Sequence, residues 1–481
     1  MSHDCGFLRG VLPGDQVAFT DATREAHADD WGTEATEKAE TPDAVVFPET
    51  TDDVAAVLAV ADERGVPVTP YAAGTSMEGN PVPAFGGISL DLTRMNGILD
   101  VRPDDFQIDV QPGALGSAVD EAVADRGLFF PPLPSSGDIS TIGGMIANDA
   151  SGMRTVKYGE VADWVLELEA VTASGEVFTA GSKAKKTSAG YNLADLLVGS
   201  EGTLAVVTRA TLELAGRPDQ IRGGRAVFPS LGDAADAVAD AVRSGVDVAK
   251  IELLDETAGA MANDHFGLDL PDSAMIFVEF HADHNVDDEI AFCRSIFESH
   301  DARSFEIAGE DEMDELWEAR EELAFALGSY DPDLTPLHPG DITVPISKLP
   351  DVIRYAKELS EEYDLLVPCF GHAGDGNVHY TVLADESDEA MVERGEELYA
   401  AVVDRAIELG GTATGEHGVG MGKRDYLERE HGAVGVELMR RVKGALDPND
   451  TLNPGKIFPE TSEPEGRVLL DGVSSLAETD D

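Results

Sequence analysis

The feature that most narrows the folds open to this chain is the way glycine turns interrupt short apolar runs between Thr51 and Leu214. From Thr51, an N-cap candidate, Asp52 and Asp53 fill a first turn, Val54, Val57, Leu58 and Ala61 share one face, and Gly65 ends an amphipathic helix. Val66 to Thr69 then read as a short strand. Ile88, Leu90 and Leu92 alternate like a half-buried strand, as do Phe106/Ile108/Val110 and Leu204/Val206/Thr208, and Ser174-Gly175 marks a hairpin turn. These signals predict an α+β unit over residues 44–215. A chain of 481 residues outgrows one hydrophobic core, so a second domain is expected. After a linker at Gly216–Gly224, the pattern runs strand 225–228, helix 231–243, strand 248–254, strand 274–281, helix 285–299, strand 302–307. That βαββαβ order predicts a ferredoxin-like sheet. Residues 308–330 read as helical, and a further strand, helix and strand over 341–372 predict a larger antiparallel sheet.

Charge bounds the setting. With 34 basic and 93 acidic side chains the formal net charge is -59. Self-repulsion on that scale opposes compaction until salt near 1 M shortens the screening length to roughly 3 Å. The acids lie along patterned segments rather than in one block, which predicts the cytoplasm of a halophile and argues against a nucleic-acid partner. No apolar run is long enough to cross a bilayer, so peripheral contact is the most a membrane would receive. The first thirty residues lack a basic region followed by an apolar stretch, which predicts a cytoplasmic protein. Only Cys5, Cys293 and Cys369 occur, too few for a four-cysteine iron–sulfur site. The end of the chain after Glu460 is polar and acidic, expected as a loose tail.

Two small-residue segments can bring backbone N–H groups close to phosphate. One is Ala72-Ala73-Gly74-Thr75-Ser76-Met77-Glu78-Gly79-Asn80; the other is Ser135-Ser136-Gly137-Asp138-Ile139-Ser140-Thr141-Ile142-Gly143-Gly144-Met145, followed by Asn148 to Gly152. Either alone reads as an ordinary turn, but two such loops suit one dinucleotide. The G-x-G-x-x-G arrangement of a Rossmann unit is not found, which disfavours NAD. Farther on, Gly371-His372-Ala373-Gly374-Asp375-Gly376-Asn377-Val378-His379 puts two histidines about a tight turn, and Gly415-Glu416-His417-Gly418 supplies a carboxylate and a third imidazole. Two His and one Glu make a first shell for zinc, manganese or ferrous iron; the rival reading is a glycine-rich turn with exposed histidines. Arg320 has Leu316, Trp317, Leu323 and Ala324 at helical spacing, so a pair along the helix is unavailable. A solvated cation and a clamp for a substrate carboxylate both remain. No histidine lies between His27 and His265, and no cysteine between Cys5 and Cys293, so the first domain has no His or Cys of its own through which to bond a cofactor covalently.

These segments, with Gly190-Tyr191-Asn192, Val198-Gly199-Ser200-Glu201-Gly202-Thr203-Leu204 and Leu452-Asn453-Pro454-Gly455-Lys456, resemble the FAD-linked oxidase family related to vanillyl-alcohol oxidase. Within it they resemble the D-lactate dehydrogenase and glycolate oxidase large-subunit group, from about Asp43 to Phe458. The resemblance implies non-covalent FAD. Ala73, Gly74, Thr75, Ser76, Met77, Gly79 and Asn80, with Ser140, Thr141, Gly143 and Gly144, would hold its pyrophosphate; Pro134, Asn148, Ser151, Gly152, Glu201, Gly202 and Val206 would line it, and Asn453 would approach the flavin from the C-terminus. It further implies that His372, His379 and Glu416 bind a divalent metal, usually zinc, that His417 is the catalytic base and that Arg320 holds the substrate carboxylate. The implied reaction removes hydride from a small D-2-hydroxy acid to flavin N5.

D-2-hydroxyglutarate is disfavoured because Ala324 and Leu337-His338-Pro339-Gly340 offer little to a second carboxylate, and Asp341 to Pro350 looks closer to the D-lactate dehydrogenase pattern, so D-lactate leads with glycolate close behind. The sequence does not name the electron acceptor, for which oxygen, a quinone, a cytochrome and an electron-transferring flavoprotein are all open, and a homodimer is compatible with the family. The rivals are an ether-lipid synthase, which looks different around the histidines, and a glycolate oxidase large subunit or flavin-binding scaffold that works only with partner chains. The expected division is an N-terminal extension (1–43), an FAD-binding domain (44–218), a substrate or cap domain with the metal site (219–415), a segment returning to the flavin (416–460) and the acidic tail (461–481).

Overall fold

The computed structural model describes residues 2–32 and 41–459, apart from the side chains of 310–312 and 324–325; the tail expected over 461–481 lies outside the described residues. A four-stranded sheet comes first, built from Val17–Ala18 (β1), Ala44–Val46 (β2), Val68–Tyr71 (β3) and Ile88–Asp91 (β4) in the order β1-β2-β4-β3. Strand β4 pairs in parallel with both β2 and β3. It is therefore central, and Ser89 and Asp91 are buried along with Ile88 and Leu90, which corrects the half-buried reading. The helix Thr51–Arg64 connects β2 to β3 and buries Val54, Val57, Leu58 and Ala61 as expected. Its cap is Thr50 rather than Thr51. The Thr50 hydroxyl accepts from Asp53 N–H while the Asp53 carboxylate accepts from Thr50 N–H, a reciprocal cap of about 1 kcal/mol. The N-terminal stretch is more than an extension, since Cys5, Leu8 and Leu12 sit in the same core as that helix.

The second sheet takes Ile98–Arg102 (β5), Gln107–Val110 (β6), Val165–Val171 (β8), Val177–Gly181 (β9) and Val206–Glu213 (β10) in the order β5-β6-β10-β8-β9, all antiparallel; Leu128–Phe129 (β7) pairs with Ala215–Gly216 (β11) beside it. The hairpin at Ser174-Gly175 joins β8 to β9. Gly175 has φ +83°, and a Cβ there would lie 2.5 Å from the Ala55 carbonyl, so this turn docks the second sheet on the first helix. Phe106 is a correction: with φ 55° it occupies the left-handed turn before β6 and is exposed. Leu204 likewise precedes β10.

The third sheet has seven strands: Gln220–Val227 (β12), Lys250–Leu254 (β13), Met275–Ala282 (β14), Ser304–Ile307 (β15), Thr335–Thr343 (β16), Cys369–Gly371 (β17) and Asn377–Ala384 (β18), ordered β15-β12-β14-β13-β17-β18-β16. The first four give the ferredoxin-like order, and the last three extend it as an antiparallel sheet. The linker expected over Gly216–Gly224 is overturned, because β12 starts at Gln220. Gly223 and Gly224 are strand residues that make room for neighbours: a Cβ on Gly223 would lie 2.4 Å from Met313 Cγ, and one on Gly224 2.8 Å from the Glu306 carbonyl. A helix that the pattern missed, Glu256–Phe266, starts at buried Asp255, whose carboxylate accepts from Ala258 N–H. Helices Leu231–Arg243, Val286–Ser299 and Leu349–Tyr363 cover one face of the sheet against Ile251, Leu253, Ile276 and Val278. By the two-residue strand period Glu252 and Phe277 point to the opposite face.

The chain then comes back. Leu452 bridges Val68 in parallel, and buried Lys443 donates to the carbonyls of Thr203 and Leu452 while pairing with Asp447. The last described segment is thereby fixed against the first two sheets.

Candidate active site

A cavity of about 620 Å³ lies between the loops that follow β3 and precede β8 on one side and the third sheet on the other. One wall is backbone. The loop after β3 contributes Ala73, Gly74, Thr75, Ser76, Met77 and Asn80, and the segment 134–151 contributes Pro134, Ser140, Thr141, Gly143, Gly144, Asn148 and Ser151, with Glu201 and Gly202 behind. The two loops touch through Thr75 and Ser140, whose hydroxyls are 3.0 Å apart. Gly143 lets the helix Ile142–Asn148 start against Pro112, where a Cβ would come within 2.6 Å of that ring. Gly74 has φ +66°. The N-terminal stretch braces the first loop: Trp31 N–H donates to the Gly74 carbonyl, Gly32 N–H to that of Ser76, and Asp30 accepts from Ser76 Oγ and Gly79 N–H. Burial pushes the Asp30 carboxyl up to about 6. An open cavity edged by small side chains and two glycine loops is what a dinucleotide needs to bring its phosphates against backbone.

The opposite wall is polar and comes from the third sheet and the returning segment. His372 and His379 flank the turn between β17 and β18, and Gly376 (φ +89°) holds that turn so close to Val344 that a Cβ would lie 2.1 Å from its carbonyl oxygen. The His372 and His379 Nε2 atoms lie 3.3 and 3.2 Å from one oxygen of Glu416. Ser151 donates to the other oxygen of Glu416 at 3.0 Å, which ties this wall to the first. His372 Nδ1 is 2.8 Å from Glu252, so its Nε2 is presented toward Glu416. Burial disfavours charge on these groups, yet His372 and His379 hold Glu416 well below its ordinary value and Glu252, with Glu416, holds His372 well above its own, whereas burial leaves His379 lowered.

Two neighbouring donor sets converge here: His372, His379 and Glu416, and Asp341, His379 and His417. The second is poorly suited to a cation, since Lys423 Nζ is 3.5 Å from Asp341 Oδ2, and that oxygen already accepts from the backbone N–H groups of Gly415, Glu416 and His417. The first set matches a divalent transition metal in donor type, count and orientation.

Arg320 is buried, and its Nε and Nη2 lie 2.8 and 2.7 Å from Glu252 Oε2. The solvated-cation reading is excluded, because the partner is a carboxylate on β13 that helical spacing could not reveal. Glu252 thus grips both Arg320 and His372. Although buried, it is held below its ordinary value by His372 and Arg320. Arg320 and the ring of Phe370, 4.9 Å away, line the cavity beside Leu327, Pro339, Gly340 and Thr381. In the stretch weighed for a second carboxylate, Leu337 is buried and His338 lies 2.8 Å from Glu396, while the Ala324 side chain is outside the described ones.

Two family models cover this architecture: an FAD binding domain over residues 42–181, and the C-terminal domain of FAD linked oxidases over residues 217–457. The glycolate oxidase subunit GlcD of Bacillus subtilis is 38% identical over 421 residues, covering 87% of this chain and 89% of the relative. The chain belongs to the FAD-linked oxidase family. A second relative in that family, the mitochondrial D-lactate dehydrogenase [cytochrome] of Arabidopsis thaliana, is 36% identical over 87% of this chain and 74% of its own. The fold is shared more widely: p-cresol methylhydroxylase with substrate bound superposes with a TM-score of 0.75 at 16% identity, over 94% of this chain and 95% of that one. This member of the FAD-linked oxidases is accordingly a flavin-dependent oxidoreductase with an FAD-binding domain and a C-terminal domain of the family type. No helix of the described residues is long and apolar enough to cross a membrane.

Of the residues anticipated at the cofactor, Gly79, Gly152, Val206 and Asn453 are not on the cavity wall. Gly79 binds Asp30; Gly152 fits against Pro134; Val206 is core; and Asn453 donates to the carbonyls of Asn80 and Glu201 from behind the loop. Glu201 reaches the wall, but its carboxylate accepts from Asn80 Nδ2 and from the N–H groups of Val419 and Gly420, joining loop to returning segment. Sequence reasoning missed Glu252 and Asp341. The available signal for Glu252 was an acid inside the strand Lys250–Leu254, apolar after Lys250.

Proposed function

We propose that this chain oxidises a small D-2-hydroxy acid, D-lactate foremost, to the 2-oxo acid, using non-covalent FAD and a divalent metal, zinc before manganese or ferrous iron, at His372, His379 and Glu416. The observation that carries this reading is the convergence of a metal-type donor set, an imidazole and a braced guanidinium on the cavity that the FAD loops line. When bound, FAD supplies the hydride acceptor and the metal a Lewis acid for the substrate hydroxyl. Arg320 receives the substrate carboxylate on the edge left free by Glu252, which fixes which face of C2 is turned to the cofactor loops. His417 accepts the hydroxyl proton as the C2–H bond breaks. Phe370, Leu327 and Pro339 bound a short side chain and exclude water around it. Residues 44–218 act as the FAD-binding domain, 219–415 as the substrate domain, and 416–460 as the segment that delivers Glu416 and His417. The enzyme works at high salt and passes electrons to an external acceptor.

The test is turnover of purified, FAD-loaded protein with a dye acceptor in concentrated KCl against D-lactate, L-lactate, glycolate and D-2-hydroxyglutarate. D-lactate leading, with pyruvate formed and activity lost to a chelator, supports the reading; L-lactate leading, or indifference to metal removal, sinks it. The likeness to a glycolate oxidase subunit favours a second reading, in which glycolate is the substrate and partner chains are required; the isolated chain would then hold FAD yet turn over none of these acids.

A further inference from the structure

Two buried polar atoms at the site lack hydrogen-bond partners and face each other: His417 Nδ1 and Glu78 Oε1, 3.8 Å apart. Asp341 Oδ2 is equally near, at 3.8 Å, but accepts from Thr414 Oγ1 and three consecutive backbone N–H groups, so its acceptor capacity is spent. Glu78 Oε1 has only an ion-pair contact with the Lys423 ammonium, at 3.3 Å. A buried imidazole donor left without a bond is destabilising, so closing the gap by about 1 Å is favoured. Glu78 is fixed on its backbone side, because its carbonyl accepts from Met421 N–H at 2.7 Å, and Gly420 approaches so closely that a Cβ would lie 2.1 Å from that oxygen. Only the side chain has freedom to move.

We propose that Glu78, carried by the glycine loop after β3, is the positioning residue for His417: it accepts the Nδ1 proton, so that Nε2 is left unprotonated toward the cavity to take the substrate hydroxyl proton. The inference rests on the proposed role of His417. The proton moves from substrate oxygen to Nε2 and Glu78 stays a carboxylate throughout; its part is to fix the tautomer and to face the imidazolium that forms. The arrangement also couples the halves of the enzyme, because the carboxylate that sets the base belongs to a cofactor loop and the base belongs to the returning segment.

Two readouts test it on flavin-loaded protein. The first is 15N NMR of labelled histidines, with H417N for assignment: wild type is expected to show His417 as the Nδ1–H tautomer with a hydrogen-bonded proton, and E78Q to lose that signature while keeping its flavin spectrum. This arm needs no substrate, so it stands if D-lactate proves the wrong acid. The second is stopped-flow flavin reduction by D-lactate: E78Q is expected to be about 100-fold slower, with oxalate affinity read from the flavin spectrum within about twofold of wild type, and E78D to recover part of the rate. An unchanged His417 signal in E78Q, reduction within about threefold of wild type, or loss of flavin from both E78Q and E78D would each overturn the proposal.

Discussion

At the scale of single residues the site is organised by carboxylates that never meet solvent. Glu252 fixes His372 from its Nδ1 side and Arg320 from two nitrogens, so one group sets both the proposed metal ligand and the proposed substrate clamp. E252Q is expected to weaken metal retention about 10–100-fold, read by competition with a chelator, and to raise KM for the acid together with it; a variant that keeps its metal would contradict this. A different buried acid gives a pH signature. Burial opposes charge on Glu279, but His281 (2.8 Å), Lys250 (3.4 Å) and Arg154 outweigh it and hold the carboxyl at about 2 against an ordinary 4.5. A depressed folded value contributes stability that is complete above pH 4.5 and lost as pH falls through 2, on the order of 3 kcal/mol. The stability difference between wild type and E279Q, by urea unfolding at high salt, should therefore shrink as pH drops from 6 toward 3; a difference that grows would contradict the sign. None of these acids was singled out from sequence, because Glu252 meets His372 and Arg320, and Glu279 meets Lys250, only through the fold, whereas His372, His379 and Glu416 stood in short glycine-framed motifs.

Among elements, local chemistry decided what could be read. Helix Leu231–Arg243 was predicted at its observed ends because Ser230 caps it and one face is apolar. Thr50 displaced Thr51 as a cap since only it reaches Asp53 N–H, and Gly223 and Gly224 passed for a linker because glycine signals both a turn and a close approach. The βαββαβ order was legible and yielded the sheet order; the addition of β17, β18 and β16 depended on pairings across long separations that no periodicity encodes. The β17–β18 turn is the element on which the proposed metal set hangs. G376A introduces a Cβ into the Val344 carbonyl at a positive φ, a conflict of roughly 1–3 kcal/mol, and moves His372 and His379 apart. The purified variant should retain flavin and lose metal; equal loss of both, or of neither, would contradict the separate origin of the two walls.

For the whole molecule, the returning segment is what makes one enzyme of two domains: Glu201, Asn453 and Lys443 hold it to the FAD-binding domain while it delivers Glu416 and His417 to the sheet. The net charge of -59 surrounds this assembly. The thermal midpoint and bound flavin should both rise between 0.1 and 3 M KCl as repulsion is screened; a midpoint flat across that range would remove the high-salt reading. The central claim, that the cavity brings a D-2-hydroxy acid to flavin, is tested most directly by the visible spectrum under anaerobic conditions in concentrated KCl. Addition of D-lactate should bleach the flavin absorbance with one equivalent of pyruvate formed, and L-lactate should leave it unchanged. A flavin that none of D-lactate, glycolate and D-2-hydroxyglutarate reduces, in protein that retains its metal, would contradict the account.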